Sequence, residues 1–191
     1  MNWLKVRFPE GFTLIEVIVV MGIIGILSTA GIFSYTGSLD NANKSKALQD
    51  IHDIVRAVET LSIHTGKYSN GCPIDEMSDP ENTDLNQPSA GLTQKPVVAT
   101  IDADCFWTAQ DIALWGGPYT KTISLDPWGR AYQFDPDYWG RSGIVGLGAG
   151  CTDQDASGNY LFSDGVAVVS SGKDGVEYTC DDVTVYLYKS N

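Results

Sequence analysis

The chain has 191 residues, with 24 Asp and Glu against 12 Lys and Arg, a net charge of -12 and 43% apolar residues. So acidic a balance argues against nucleic acid as a partner, because binding phosphate needs clustered Lys and Arg; it fits a soluble surface that repels its neighbours, or sites for hard cations. With the apolar amino-terminal segment set aside, roughly 125 to 150 residues remain, enough for one globular domain and too few for two.

From Phe12 to Phe33 the sequence is apolar, with Glu16 as its only charge. As a helix this run would span about 30 Å at ~1.5 Å per residue, close to the hydrocarbon core of a bilayer. A carboxylate in such a segment costs on the order of 3 kcal/mol or more, so Glu16 needs a partner. Lys5 and Arg7 precede the run and should stay cytoplasmic, which places the body of the chain outside the cytoplasm. A secretory signal peptide is a competing reading, with Ser28-Thr29-Ala30 as a small-residue cleavage box. The run is longer than a usual signal core, however, and neither a signal peptide nor a plain anchor has a use for Glu16.

Gly11-Phe12-Thr13-Leu14-Ile15-Glu16 resembles the prepilin processing motif of type IV pilins and of the pseudopilins of type II secretion systems. The resemblance implies that a membrane-bound prepilin peptidase cuts between Gly11 and Phe12, removing a basic leader of residues 1–11, and that the new amino terminus is N-methylated. Glu16 would become the fifth residue of the mature chain and pair, during assembly, with the amino-terminal ammonium of a neighbouring subunit. A buried carboxylate and a buried ammonium are each costly alone and attract strongly at low dielectric. An unassembled subunit would then carry an unsatisfied charge. Gly22, Gly25 and Gly31 are either sites of close helix approach or ordinary membrane-helix glycines; Phe33 stands where many relatives have proline.

Beyond the apolar run the helix is expected to continue. Leu39 to His64 contains neither proline nor glycine, and Ala47, Ile51, Ile54, Val55, Val58, Leu61 and Ile63 recur at roughly helical spacing. Gly66 is the expected stop. The result is one helix of about 50 residues by these signals, apolar over 12–35 and amphipathic over 36–66, standing under a head of residues 67–191. His52 and His64 are twelve apart on it, too far round for a close metal pair.

Cys72, Cys105, Cys151 and Cys180 form no C-x-x-C pair and have no histidine nearby in sequence, which argues against zinc. An even count beyond a membrane anchor favours disulfides. Three pairings are open; Cys72 with Cys105 and Cys151 with Cys180 are expected, since each would staple a loop-rich stretch. Tyr68 to Ala103 is rich in Pro, Asn, Asp, Ser and Gly and reads as loop, followed by a short helix or turn around Trp107 to Trp115. Strands are expected at 131–134, 165–169 and 183–188, and Asp126-Pro127-Trp128-Gly129 as a turn whose tryptophan packs on the long helix. Gly116-Gly117-Pro118-Tyr119 and the D-P-W-G-x-x-Y pattern from Asp126 to Tyr132 look like the head of major pseudopilins. The expected fold class is therefore α+β: a long helix packed on a small antiparallel sheet, as in type IV pilins.

The segment from Ser170 to Val183 holds three aspartates around a glycine turn. It can offer oxygen ligands from Asp174, Asp181, Asp182, the Thr179 hydroxyl and the carbonyls of Ser171 and Val176, as calcium requires. It lacks the spacing of an EF-hand. Major pseudopilins carry a similarly spaced S-x-G-x-D-G…D-D-[IV] loop, so the resemblance implies one bound Ca2+; Cys180 inside the loop is a departure that would let a disulfide share the ordering.

The chain has no G-x-S-x-G, H-E-x-x-H or phosphate-binding glycine motif. The glycines at 143, 146, 148 and 150 lack the context of a dinucleotide site, and Asp135, Asp137, Asp153 and Asp155 read as acidic loop residues. The resemblance implies a non-enzymatic filament subunit held in the bacterial inner membrane by a single pass. Its partners would be copies of itself, the prepilin peptidase, an inner-membrane assembly platform and minor pilins or pseudopilins. A periplasmic pseudopilus for protein export is the first expectation and a surface pilus the second. An anchored calcium-binding module without assembly is a third.

Overall fold

The computed structural model describes residues 11–74, 77–78, 83–141 and 162–189, and the side chains of 29–36 and of a few strand-end residues fall outside that description. It divides into two compact units, Met1–Asp40 and Asn41–Asn191. Helix α1 runs from Leu14 to Thr65 and ends where the sequence asks it to. Gly66 takes φ 72°, the left-handed conformation that glycine adopts without a Cβ penalty, and its N–H donates to the Ser62 carbonyl at 2.8 Å.

In the first unit, the apolar side chains of α1 from Leu14 to Leu27 are exposed on every face of the helix, Ile26 at 72% and Leu14 at 78%. Among the described residues no helix is long and apolar enough to cross a membrane. A Cβ added at Gly22 or Gly25 would meet nothing within 4 Å among the described residues.

The second unit is built on the amphipathic part of α1. Ala47, Ile51, Ile54, Val55, Val58 and Leu61 fall at three- and four-residue intervals and are all buried. They share one core with Phe134, Val166, Val168 and Val183 of the sheet and with Tyr68, Trp107 and Tyr132. Trp128 packs against this same core. Burying each large apolar side chain contributes roughly 1.5–3 kcal/mol, which makes this shared face the main source of the unit's stability.

Strands β1 (Thr83–Asp84), β4 (Gln133–Arg141), β5 (Phe162–Ser170) and β6 (Val183–Lys189) form an antiparallel sheet in the order β1-β4-β5-β6. Alternation along β5 sends Val166 and Val168 to the helix-side core, and Ala167 and Val169 to a second cluster with Tyr138 and Tyr186 on the opposite face. Three strands were expected here, and all three exist. The first begins two residues later than expected and continues to Arg141, because a bulge between Asp135 and Tyr138 absorbs Pro136, which has no N–H to give the ladder.

Between α1 and the sheet, β2 (Ala99–Thr100) pairs with β3 (Phe106–Trp107), followed by α2 (Ala109–Leu114). Thr108 and Asp111 form a reciprocal capping box at the start of α2. Cys72 and Cys105 are disulfide-bonded, as expected, across a sequence separation of 33. Cys180 is also disulfide-bonded, while its expected partner Cys151 lies outside the described residues, as do the leader residues 1–10, the glycines at 143–150, Asp153 and Asp155. His52 is exposed, and His64 meets the Tyr119 hydroxyl at 3.0 Å rather than another histidine.

Candidate functional site

Two places bring together residues singled out by the sequence. The first is the start of α1. Gly11 and Phe12 are exposed, Phe12 at 89%. Thr13 precedes the first helical residue, and Glu16 Oε2 accepts hydrogen bonds from the Thr13 N–H at 2.9 Å and the Thr13 hydroxyl at 2.8 Å. The Glu16 N–H in turn donates to Thr13 Oγ1 at 3.3 Å. This is a capping box, T-x-x-E, which satisfies amide groups that the first helical turn would otherwise leave open. In this chain Glu16 Oε2 is thus engaged by neutral groups three residues away, which supply hydrogen bonds and no compensating charge. The signal was in the sequence, hidden because the carboxylate stood out against its apolar neighbours rather than against Thr13.

The second place is the loop between β5 and β6. Thr179 Oγ1 lies 2.9 Å from Asp181 Oδ1, 3.0 Å from the Val176 carbonyl, and 3.2 and 3.4 Å from the two carboxylate oxygens of Asp174. A hydroxyl has one proton, so it can satisfy only one of these acceptors. The other oxygens converge on the same hydroxyl without receiving its proton. The Asp174 N–H donates to Asp181 Oδ2 at 2.8 Å, and the Val176 N–H to Asp174 Oδ1 at 2.8 Å. Burial works against ionisation of Asp181, but hydrogen bonds from the Asp174 amide, the Thr179 hydroxyl and the Lys173 amide outweigh it and hold the carboxyl below its ordinary range.

Of the six expected ligands, the structure thus brings Asp174, Val176, Thr179 and Asp181 together. Ser171 and Asp182 are engaged differently. The Ser171 carbonyl accepts the Gly175 N–H at 3.0 Å. Asp182 is fully buried, and its Oδ2 accepts from the Tyr138 hydroxyl at 2.7 Å and the Thr179 N–H at 3.1 Å, while Oδ1 has no hydrogen-bond partner among the described residues. Burial raises its carboxyl to about 6. Among the described residues no three His, Cys, Asp or Glu side chains gather closely enough to hold a metal ion by themselves. A cation at this loop would therefore depend on the hydroxyl and the carbonyl as well as on two carboxylates. An all-oxygen donor set of this kind suits a hard cation and not zinc.

Residues 10–32 match the prokaryotic N-terminal methylation motif. The chain is 30% identical over 163 residues to type II secretion system core protein G of Aeromonas hydrophila, covering 83% of this chain and 96% of that protein. It is 29% identical over 146 residues to the Vibrio cholerae protein of the same name, covering 76% and 84%. Among solved structures it is similar to the major pseudopilin from the type 2 secretion system of enterohaemorrhagic Escherichia coli, at 19% identity and a TM-score of 0.41 over 78% of this chain and 90% of that one.

Proposed function

The chain belongs to the type II secretion system core protein G family, that of the major pseudopilins, and from this premise we propose that it is the repeating subunit of a periplasmic filament used in protein export. One observation carries the proposal. The segment from Phe12 to Leu27 is apolar and exposed on all faces, so its natural surroundings are hydrocarbon before assembly and the matching segments of other copies afterwards. Residues 12–35 would anchor the subunit in the inner membrane with the leader in the cytoplasm.

Processing by a prepilin peptidase between Gly11 and Phe12 would expose a new ammonium, to be N-methylated, four residues before Glu16. In the lone subunit the Glu16 carboxylate rests on Thr13. Docking at the base of a growing filament would add the ammonium of a neighbour, and with it the compensating charge. The inner-membrane assembly platform and minor pseudopilins are the further partners this role requires. At the other end of the chain, Asp174, Val176, Thr179 and Asp181 would hold one Ca2+, with Ser171 and Asp182 framing the loop. The ion would draw the converging oxygens of Asp174, Val176, Thr179 and Asp181 together, tying the loop between β5 and β6.

Mass spectrometry of the mature amino terminus tests the reading. It should begin at N-methylated Phe12; an uncut chain, or one cut near Ala30, would instead support an anchored or secreted module without assembly.

A further inference from the structure

The loop that gathers these oxygens is gripped from outside by a residue to which the functional reading gives no task. Arg130 follows the turn Asp126–Gly129, and its main chain is fixed there. The Asp126 N–H donates to the Arg130 carbonyl at 2.7 Å, and the Arg130 N–H to Asp126 Oδ1 at 2.8 Å. Asp126 is buried and is bonded in turn by the Ser170 hydroxyl at the end of β5. From this anchored base the side chain crosses to the loop. Nη1 donates to the Gly172 carbonyl and Nη2 to the Lys173 carbonyl, the latter at 3.3 Å. Gly175 lies against it: at φ 75° a side chain would be strained, and a Cβ there would meet the guanidinium at less than 3 Å, so the arginine would have to shift.

Gly172 and Lys173 lead directly into Asp174, whose carboxylate and N–H make the contacts to Thr179 and Asp181 described above. We propose that Arg130 is a positioning residue for the cation loop: its planar guanidinium clamps two successive carbonyls and thereby sets the direction in which Asp174 enters the oxygen cluster. This rests on the calcium reading of the loop. A guanidinium presents several donors in a fixed fork and can hold two adjacent carbonyls at once, which a lysine ammonium on a flexible stem does less well. The clamp also occupies the Gly172 and Lys173 carbonyls, leaving the carboxylates, the Thr179 hydroxyl and the Val176 carbonyl as donors for the ion.

The test uses the full-length chain in detergent, as wild type, Arg130→Gln and Arg130→Lys. Calcium binding is titrated by calorimetry, and amide hydrogen exchange over residues 171–176 is followed in chelator. Removing a group that orients ligands costs roughly ten- to a hundredfold in metal affinity, so Arg130→Gln should bind calcium at least about tenfold more weakly. It should also exchange faster over 171–176 in chelator, with Arg130→Lys in between. Exchange over 162–169 of β5, unchanged among the three, shows that the fold persists. Unchanged exchange over 171–176 in Arg130→Gln would overturn the clamp whether or not calcium binds. Faster exchange with undiminished affinity would overturn the positioning role. A wild type that binds no calcium, with exchange still faster in Arg130→Gln, would leave the clamp standing and refute the calcium reading together with the positioning role built on it.

Discussion

The Ser170 hydroxyl donates to Asp126 Oδ2 at 2.6 Å in the interior of the second unit, joining the Asp126–Gly129 turn to the last residue of β5. Asp126 also accepts from the N–H groups of Trp128 and Arg130, so one buried carboxylate organises the turn and fastens it to the sheet. Ser170→Ala leaves that carboxylate buried and one partner short, which should cost about 1–3 kcal/mol in chemical unfolding. Asp126→Ala, which abandons all three donors, should cost more. A Ser170→Ala midpoint equal to wild type would contradict this role.

The Cys72–Cys105 bridge closes a loop of sequence separation 33 through a stretch that has only short elements of its own. Chain-entropy arguments give such a closure roughly 3–4 kcal/mol. The double variant Cys72→Ala, Cys105→Ala should therefore unfold at markedly lower denaturant. Loss of less than 1 kcal/mol would mean that packing around Trp107, rather than the bridge, holds the loop.

Asp135 is buried at the bulge of β4, where burial first, and then Asp137 beside it, push its carboxyl up to about 8. The folded state accordingly holds a proton that the unfolded chain releases near pH 4. Between about pH 4 and pH 8 the folded state binds more protons than the unfolded one, so this contribution to stability is full at the acid end and is lost as pH rises through the folded value. Asp135→Asn should flatten that decline and melt higher than wild type at pH 8. Identical pH profiles for the two would refute the assignment.

Calcium binding to the loop between β5 and β6 should raise thermal stability. An ion present at about 100 times its Kd adds about 2.7 kcal/mol, reversed by chelator. Thr179→Val removes the hydroxyl around which Asp174, Val176 and Asp181 gather, and should shrink that gain. Calorimetry in calcium and in chelator measures both; equal melting temperatures for wild type in the two conditions would count against the site.

Much of this was legible in the sequence because the signals are local and repeated. The three- and four-residue rhythm from Ala47 to Leu61 marked the buried face of α1, and Gly66 its end. Val166 to Val169 and Val183 to Tyr188 announced β5 and β6 through β-branched and aromatic residues. What escaped detection depended on distant partners or on very short elements. Strands of two residues, such as β2 and β3, have no periodicity to read. Pro136 and Asp137 look like breakers until a bulge is known to take them in. The Arg130 clamp joins residues more than 40 apart, through main-chain carbonyls that any sequence supplies. The Thr13–Glu16 cap was within reach, since its four-residue signature lies in plain view.

That cap allows the central claim to be tested by separating hydrogen bonding from charge. Glu16→Gln keeps an acceptor for the Thr13 N–H and hydroxyl while removing the negative charge that a neighbour's ammonium would meet. In cells that contain the assembly apparatus, the decisive measurement is the yield of sheared, sedimentable filaments from Glu16→Gln relative to wild type, with membrane levels of the subunit matched. A filament built on this charge pair predicts normal processing after Gly11, normal membrane levels and at least a tenfold fall in filaments, in line with the cost of about 1.4 kcal/mol or more for leaving a buried charge unpaired. Wild-type filament yield from Glu16→Gln would contradict it.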